Sequence, residues 1–343
     1  MKLVHLHTHS HFSLLDGLSK IDDLVNRAKE LEMNSLALTD HGVMYGAIEF
    51  YKKAKKAGIK PIIGCEIYIA QGDMREKRAG VDDKRYHLIL LAKDNTGYKN
   101  LIKIVSAAHL DGFYYKPRVD KDFLREHSEG LIALSACLGG ELSRAISSGN
   151  YAKAKKIALE HQEIFGVGNY YIELQQHPHI DDQNKVTPQL VKLAKETGIP
   201  IVATQDSHYT HADDSYAHDV LLAVQTGNKL DDTDRMTMKD DNFSLLNGDE
   251  MFEKFKILGE DVATEAINNT LAIAEKCDVE IELGKTRLPH FPLPEGYKSS
   301  EEFLKKLAYD NLPDKYEGDG VEKAKNRLEY ELSVIEKTGF ASY

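Results

Sequence analysis

Histidines, carboxylates and one cysteine recur over the first two hundred residues at spacings that suit metal coordination. The series opens with His5, His7 and His9 in HLHTHS and closes with Asp206 and His208 in TQDSHY. Side chains alternate between the faces of a strand, so each H-x-H or D-x-H pair presents two donors to the same side. Between these ends lie His41 after SLALTD, Glu66 in PIIGCEIYIA, His87 in YHLILLA and Cys137 after LIALSA. The chemistry on offer is that of a metal site. A phosphate-binding G-x-x-x-x-G-K-[ST] loop, a G-x-S-x-G elbow and a dinucleotide fingerprint are all missing, which argues against nucleotide-driven or serine-nucleophile chemistry.

The elements that must position these donors are short aliphatic strands alternating with amphipathic helices. The strand candidates are 2–7, 35–40, 61–70, 86–92, 131–136, 170–175 and 200–205. Helical periodicity covers Lys20 to Met33, Gly46 to Ala57, Tyr98 to His109, Tyr151 to Phe165 and Pro188 to Thr197, several closed by a glycine such as Gly58, Gly166 or Gly198. Nearly continuous apolar strands separated by helices predict a parallel sheet covered on both faces, and seven repeats predict a distorted, seven-stranded TIM-like (β/α) barrel. Functional groups of such barrels gather at the C-terminal ends of the strands. His41, Glu66, Cys137, Asp206 and His208 obey that rule, whereas His87 sits early in its strand and fits it less well.

At 343 residues, 42% hydrophobic and 29% charged, the chain can bury a sizeable core. One large α/β domain over 1–280 and a mainly helical extension over 281–343, entered through the proline-rich RLPHFPLPEG (287–296), is the expected division. No apolar run approaches the roughly 20 residues that span a bilayer, and no signal peptide opens the chain. The expectation is a cytoplasmic protein with no membrane partner. Cys65, Cys137 and Cys277 are too few for a disulfide framework. A net charge of −11 argues against a broad, non-specific nucleic-acid surface, without excluding a nucleic-acid substrate held at a local basic patch.

HLHTHSHFSLLDG, LTDHG, IIGCEIYI, YHLILLAKDNTGYKNL, LSACLGGE and TQDSHY together resemble the motifs of the PHP (polymerase and histidinol phosphatase) domain. The form resembled is the one carried at the N-terminus of the bacterial DNA polymerase III alpha subunit. The closing RLEYELSVIEKTGFASY (327–343) is similar to the segment that leads there into the polymerase palm. The resemblance implies three divalent ions (Zn, Mn or Fe) and a competent residue at every ligand position. His7 and His9 would bind one ion with Asp206 and a bridging Glu66; His87 and Cys137 would complete a second with the same Glu66; Asp16, His41 and His208 would hold the third. His5 becomes a partner of the ligand histidines, and Asp40 a carboxylate that orients His41. His177 and His179 in QQHPHI imitate H-x-H, but Pro178 interrupts the strand and marks a loop.

A polynuclear site of this kind suits phosphoester hydrolysis. The polymerase-like form implies a DNA 3′ end as substrate, hence a 3′–5′ exonuclease of proofreading type, with Asp206, His9, Glu66 and His208 as the catalytic set. His11, Tyr45, Tyr114, Lys116 and Arg118 are candidates for stacking on bases or contacting phosphates. The resemblance also implies the polymerase palm and fingers of a full-length subunit and a separate proofreading exonuclease subunit as partners. No polymerase activity is expected of these 343 residues themselves. Two other readings stand beside this one: a metal-stabilised, non-catalytic scaffold that docks the separate exonuclease, and a phosphatase or pyrophosphatase acting on a small molecule.

Overall fold

Most of the strands are short runs rich in aliphatic residues and largely covered on both faces. The strands are β1 (Ser35–Leu38), β2 (Lys60–Ala70), β3 (Arg85–Ala92), β4 (Arg118–Val119), β5 (Leu131–Leu134), β6 (Tyr170–Leu174) and β7 (Ile201–Ala203). The structure is a computed structural model and describes residues 1–285 and 291–343. The strands form one curled sheet in the order β1-β2-β3-β5-β6-β7, with the two-residue β4 pairing on β2. Val, Ile and Leu fill it; Ile62, Ile89, Ile132 and Val202 are packed in one buried cluster on the inside of the curl.

Two features depart from the parallel barrel predicted from the sequence. β3 runs antiparallel to both β2 and β5, while β1-β2, β5-β6 and β6-β7 are parallel. The cause is the connection over 71–84, which is polar and has no helix, so the chain turns back beside β2 instead of crossing over it. The reversal also answers the anomaly at His87. In a reversed strand the N-terminal end faces the mouth, and His87 stands opposite Tyr68 of β2, at the end where the other strands finish.

The predicted strand over 2–7 is not laddered. The segment bonds on both sides instead: the N–H groups of Ala37 and Thr39 donate to His5 and Thr8 carbonyls (both 2.9 Å), while His9 N–H donates to Ser207 O (2.8 Å) and Ser207 N–H to His7 O (3.2 Å). It therefore joins the end of β1 to the stretch after β7 and closes the curl. This is how residues two hundred apart in sequence meet.

The outer layer is helical. α1 (Ile21–Glu30) buries Ile21, Leu24, Val25 and Ala28, and α2 (Ala47–Ala57) buries Ala47, Phe50, Tyr51 and Ala54. Both follow the i, i+3, i+4, i+7 stripe of a helix lying on a core, and α2 ends at Gly58 in the left-handed conformation. α3 (Asn95–Leu110) starts earlier than periodicity suggests because the Asp94 carboxylate accepts from the N–H groups of Thr96 and Gly97. α4 (Lys121–His127), α5 (Glu141–Ser147) and α6 (Tyr151–Phe165) follow. α7 (Asp181–Thr197) takes in Pro188 rather than beginning at it, since Gln183 and Thr187 both donate to the Gln175 carbonyl and anchor the preceding turn. α8 (Ser215–Thr226), α9 (Gly248–Phe255) and α10 (Glu260–Lys276) complete the first unit, Met1–Ile281.

The second unit, Glu282–Tyr343, carries α11 (Ser300–Asp310), α12 (Leu312–Lys315) and α13 (Gly320–Thr338). Phe303 of α11 stacks on Phe291 and meets Tyr297 edge-on. Positions 287–290 of the expected proline-rich linker lie outside the described residues. No helix among the described residues is long and apolar enough to cross a membrane.

Candidate metal centre

At the mouth of the curl, Glu66 is the hub. Its Oε2 lies 2.9 Å from His7 Nε2, 3.1 Å from His9 Nε2 and 3.2 Å from His41 Nδ1, and its Oε1 abuts His87 Nδ1. Asp206 Oδ1 approaches the same two imidazoles, at 3.0 Å from His7 Nε2 and 3.3 Å from His9 Nε2, which are themselves 3.1 Å apart. Ligands bound at 2.0–2.1 Å in a tetrahedron stand about 3.3 Å from one another, close to these separations. Three donor groups could each hold a metal ion: His7, His9, Glu66 and Asp206; Glu66, His87 and Cys137; and His9, His41 and His208. Asp16 adjoins the last of these, its Oδ2 2.9 Å from His41 Nε2 and its Oδ1 3.9 Å from His208 Nε2.

The far sides of the imidazoles identify which nitrogen is free. His7 Nδ1 meets Glu173 Oε1 at 2.7 Å, and an ionised carboxylate can only accept, so Nδ1 carries a proton and Nε2 is the nitrogen that faces the centre, where a cation would take the place of its proton. Ser13 Oγ donates to Asp40 Oδ1 (2.8 Å) and therefore accepts from His9 Nδ1–H (2.9 Å), which frees His9 Nε2. His208 Nδ1–H donates to the Asp206 carbonyl at 2.8 Å and leaves its Nε2 free. Three imidazoles thus present basic nitrogens inward with their outer N–H groups tied down, the usual support for metal-binding histidines. Asp206 Oδ1, Asp16 Oδ1 and His41 Nδ1 are buried atoms without a hydrogen-bond partner. Leaving them so would cost a few kcal/mol each, and a cation removes that penalty.

The electrostatics agree. Burial works against a charge on His7, yet Asp206, Glu173 and Glu66 outweigh it and hold its pKa well above the usual 6.5. His41 is raised in the same way, by Glu66 and Asp16 against burial. Burial opposes ionisation of Glu66, but His87, His41 and His7 hold its carboxyl well below the ordinary range; Asp206 and Asp16 are depressed likewise by the surrounding imidazoles. His208 is pulled down to about 4, first by burial and then by His9. Burial, with Asp206 and Glu66, pushes the Cys137 thiol up. These fields describe a cavity that attracts positive charge.

Backbone geometry is specialised here. Asp206 and Ala136, the residue before Cys137, both take left-handed φ values (56° and 63°), a conformation that disfavours side chains and clusters at functional positions. A Cβ on Gly17 would stand 2.1 Å from the Ser10 carbonyl oxygen, so only glycine lets the chain turn beside Asp16. A Cβ on Gly139 would reach 2.8 Å from His87 Nδ1.

Sequence reasoning missed several supports. Glu173 reads as one polar residue in an apolar strand, though a carboxylate buried near a strand end is itself a signal. Ser13 is hidden in a turn, and Asp40 orients Ser10 and Ser13, not the His41 ring as expected. His5 bonds the Leu246 carbonyl (2.9 Å), not a ligand imidazole. Tyr68, also overlooked, lies 5.2 Å from the His87 ring and 6.3 Å from that of His41. Of the residues expected to touch substrate, His11 is exposed and packs on Phe12, Tyr45 is exposed, and Lys116 sits over the Tyr68 ring at 5.9 Å. Tyr114 packs against Tyr115 under the Arg118 guanidinium. Arg118 is a correction: it is fully buried and uses four of its five N–H donors on the carbonyls of Gly112, Met74, Glu76 and Asp82, so it clamps the 74–82 loop from inside and presents no surface to a phosphate.

A curled α/β sheet with clustered imidazole and carboxylate donors at its mouth defines an α/β protein of barrel type with a candidate metal site. The PHP domain model matches residues 5–177, and the chain belongs to that family. It is 44% identical over 344 residues to the DNA polymerase III subunit alpha of Borreliella burgdorferi, covering 100% of this chain and 29% of that protein. The corresponding protein of Thermus aquaticus is 43% identical over 323 residues, covering 92% and 26%. The chain thus spans less than a third of the length of these relatives. Among solved structures, an amidohydrolase from Chromobacterium violaceum matches with a TM-score of 0.41 at 17% identity, over 60% of this chain and 87% of that one. A two-domain protein from Bacteroides vulgatus containing a predicted PHP-like metal-dependent phosphoesterase matches with a TM-score of 0.39 at 15% identity, over 76% and 63%.

Proposed function

We propose that the chain is a metal-dependent phosphoesterase that shortens DNA from a 3′ end, acting as the PHP domain of a replicative polymerase subunit. The observation that carries the reading is the convergence of His7, His9, Glu66 and Asp206, whose ligand atoms lie within 4.8 Å of one another, with both carboxylates 2.9–3.3 Å from both imidazole Nε2 atoms. DNA is the substrate class because the relatives are DNA polymerase subunits. The palm and fingers of such a subunit and a separate proofreading exonuclease are its partners.

On this reading three divalent ions would be held: one by His7, His9, Glu66 and Asp206, the next by Glu66, His87 and Cys137, and the third by Asp16, His41 and His208. Divalent ions there supply charge neutralisation of a phosphoester and a nucleophile available near neutral pH. The protein's own part is orientation. Glu173, Ser13 and the Asp206 carbonyl orient the rings of His7, His9 and His208, and Glu66 is held fully buried at the hub. Asp206, His9, Glu66 and His208 form the catalytic set.

The test is digestion of a 5′-labelled primer from its 3′ end by the purified chain with Mn or Zn, beside Asp206→Asn. Stepwise shortening that the variant loses is the expected result. Absence of shortening by a folded, metal-loaded chain overturns it in favour of a scaffold for a separate exonuclease or a small phosphate substrate.

A further inference from the structure

A cavity of about 510 Å³ opens beside His87, walled by Lys84, Arg85, Tyr86, Arg144 and Lys153, with Asp83 and Glu141 as its acids. Glu141 is already held by Lys121 Nζ (2.8 Å) and faces His161. Lys84, Arg144 and Lys153, by contrast, enter no ion pair among the described residues. Several other cations of the unit do find acids: Lys53 pairs with Asp22 and Glu49, Arg125 with Asp122 and Glu160, and Arg235 with Asp219. Four cations gathered around one cavity in a chain of net charge −11 make a local positive field.

The cavity is continuous with the metal centre through two side chains. His87 belongs to both. Arg85 stacks on the face of Tyr68 at 5.6 Å, the same ring that meets His87 and His41, and its Nε is buried without a hydrogen-bond partner. A guanidinium held in this way has a donor in reserve. Tyr86 adds an aromatic surface beside it. Cations interleaved with an aromatic ring in a groove are the features that bind a single strand by its phosphates and base faces without reading sequence.

We infer that this cavity is the subsite for the phosphodiester backbone of single-stranded DNA next to the linkage that is cut, with Lys84, Arg85, Arg144 and Lys153 as its phosphate contacts. The inference rests on the phosphoesterase reading and gives the strand a direction: it enters over α5 and β3 and meets the metal centre at His87. An acidic protein segment would favour scattered surface lysines, whereas a strand needs its cations beside the cluster, where these four are.

The probe is a fluorescent ten-nucleotide thymidine strand with phosphorothioate linkages, titrated into the intact metal-loaded chain at several salt concentrations. Arg144→Ala with Lys153→Ala should weaken binding about tenfold and flatten the slope of log affinity against log salt by about 1.4, since each phosphate contact to a single strand contributes roughly 0.7. Both side chains are exposed, so the fold is not at risk. Lys52→Ala with Lys56→Ala, an equal loss of charge on exposed positions of α2, should change neither quantity. Unaltered affinity and slope in the cavity variant, or an equal loss in the α2 variant, overturns the subsite. The two readings fail separately. A chain that hydrolyses no ester yet keeps the binding difference loses the phosphoesterase reading alone, and one that shortens primers without the difference loses the subsite alone.

Discussion

Glu173→Gln isolates the support of the metal centre from its ligands. Glu173 Oε1 accepts from His7 Nδ1 at 2.7 Å, from Gln175 Nε2 at 3.0 Å and from Thr204 Oγ1, while Oε2 is buried with no hydrogen-bond partner. A glutamine can put its amide oxygen where Oε1 is and keep every one of these bonds; what disappears is the charge. Hydrogen bonds to a charged group stabilise by roughly 1.5–3 kcal/mol and neutral ones by roughly 0.5–1.5 kcal/mol, so the His7 bond weakens by about 1 kcal/mol. His7 Nε2 becomes a poorer donor as its Nδ1–H loses that partner. Weaker support of this kind lowers affinity for the ion by about tenfold. Competition against a chromophoric chelator measures it, with the far-ultraviolet dichroism of the metal-free chain as the check on folding. An affinity within twofold of the unsubstituted chain, in a folded variant, would refute the claim that Glu173 sets the basicity of His7.

Further outcomes follow from the same geometry. Gly139→Ala puts a Cβ 2.8 Å from His87 Nδ1, a clash with a movable ring, so the fold should hold while metal content by mass spectrometry falls by about one ion per chain. Arg118→Ala strands four loop carbonyls and should lower stability in urea by about 3 kcal/mol or more and open the 74–82 loop to protease; unchanged unfolding would remove its role as a clamp. Metal-free stability should peak near pH 6.5. Below that, His5 and His208, lowered to about 4, take up protons more readily when unfolded, and the depressed Glu66, Asp16 and Asp206 lose their contribution as they are protonated. Above it, the raised His7 and His41 hold protons that the unfolded chain releases, and their contribution fades as pH climbs through their folded values. Thermal melts in chelator across pH 4–9 check this, and a monotonic profile would contradict it. Added Zn or Mn should move the maximum to higher pH, because ions then take the place of those protons.

What could be read in advance depends on whether the deciding force is local. The pairing of His7 with His9 and of Asp206 with His208 needs only a side-chain alternation of two, and the stripes of α1 and α2 only a period of 3.6, so both are written along the chain. Tyr151 to Phe165 begins and ends where its pattern does. Supports of the ligands are different in kind. Glu173 reaches His7 across 166 positions and Asp40 reaches Ser13 across 27, and nothing in their neighbours' spacing marks them. Their signal is chemical: a carboxylate buried in a strand must find a proton donor or a cation. The direction of β3 is an intermediate case. Read as a repeat, 86–92 should be parallel and His87 misplaced; read as the return arm after a helix-free 71–84, it must be antiparallel, and its first residues then lie at the mouth. His87 was thus evidence about topology as much as about metal. A donor at the N-terminal end of a strand belongs to the mouth only if that strand is reversed.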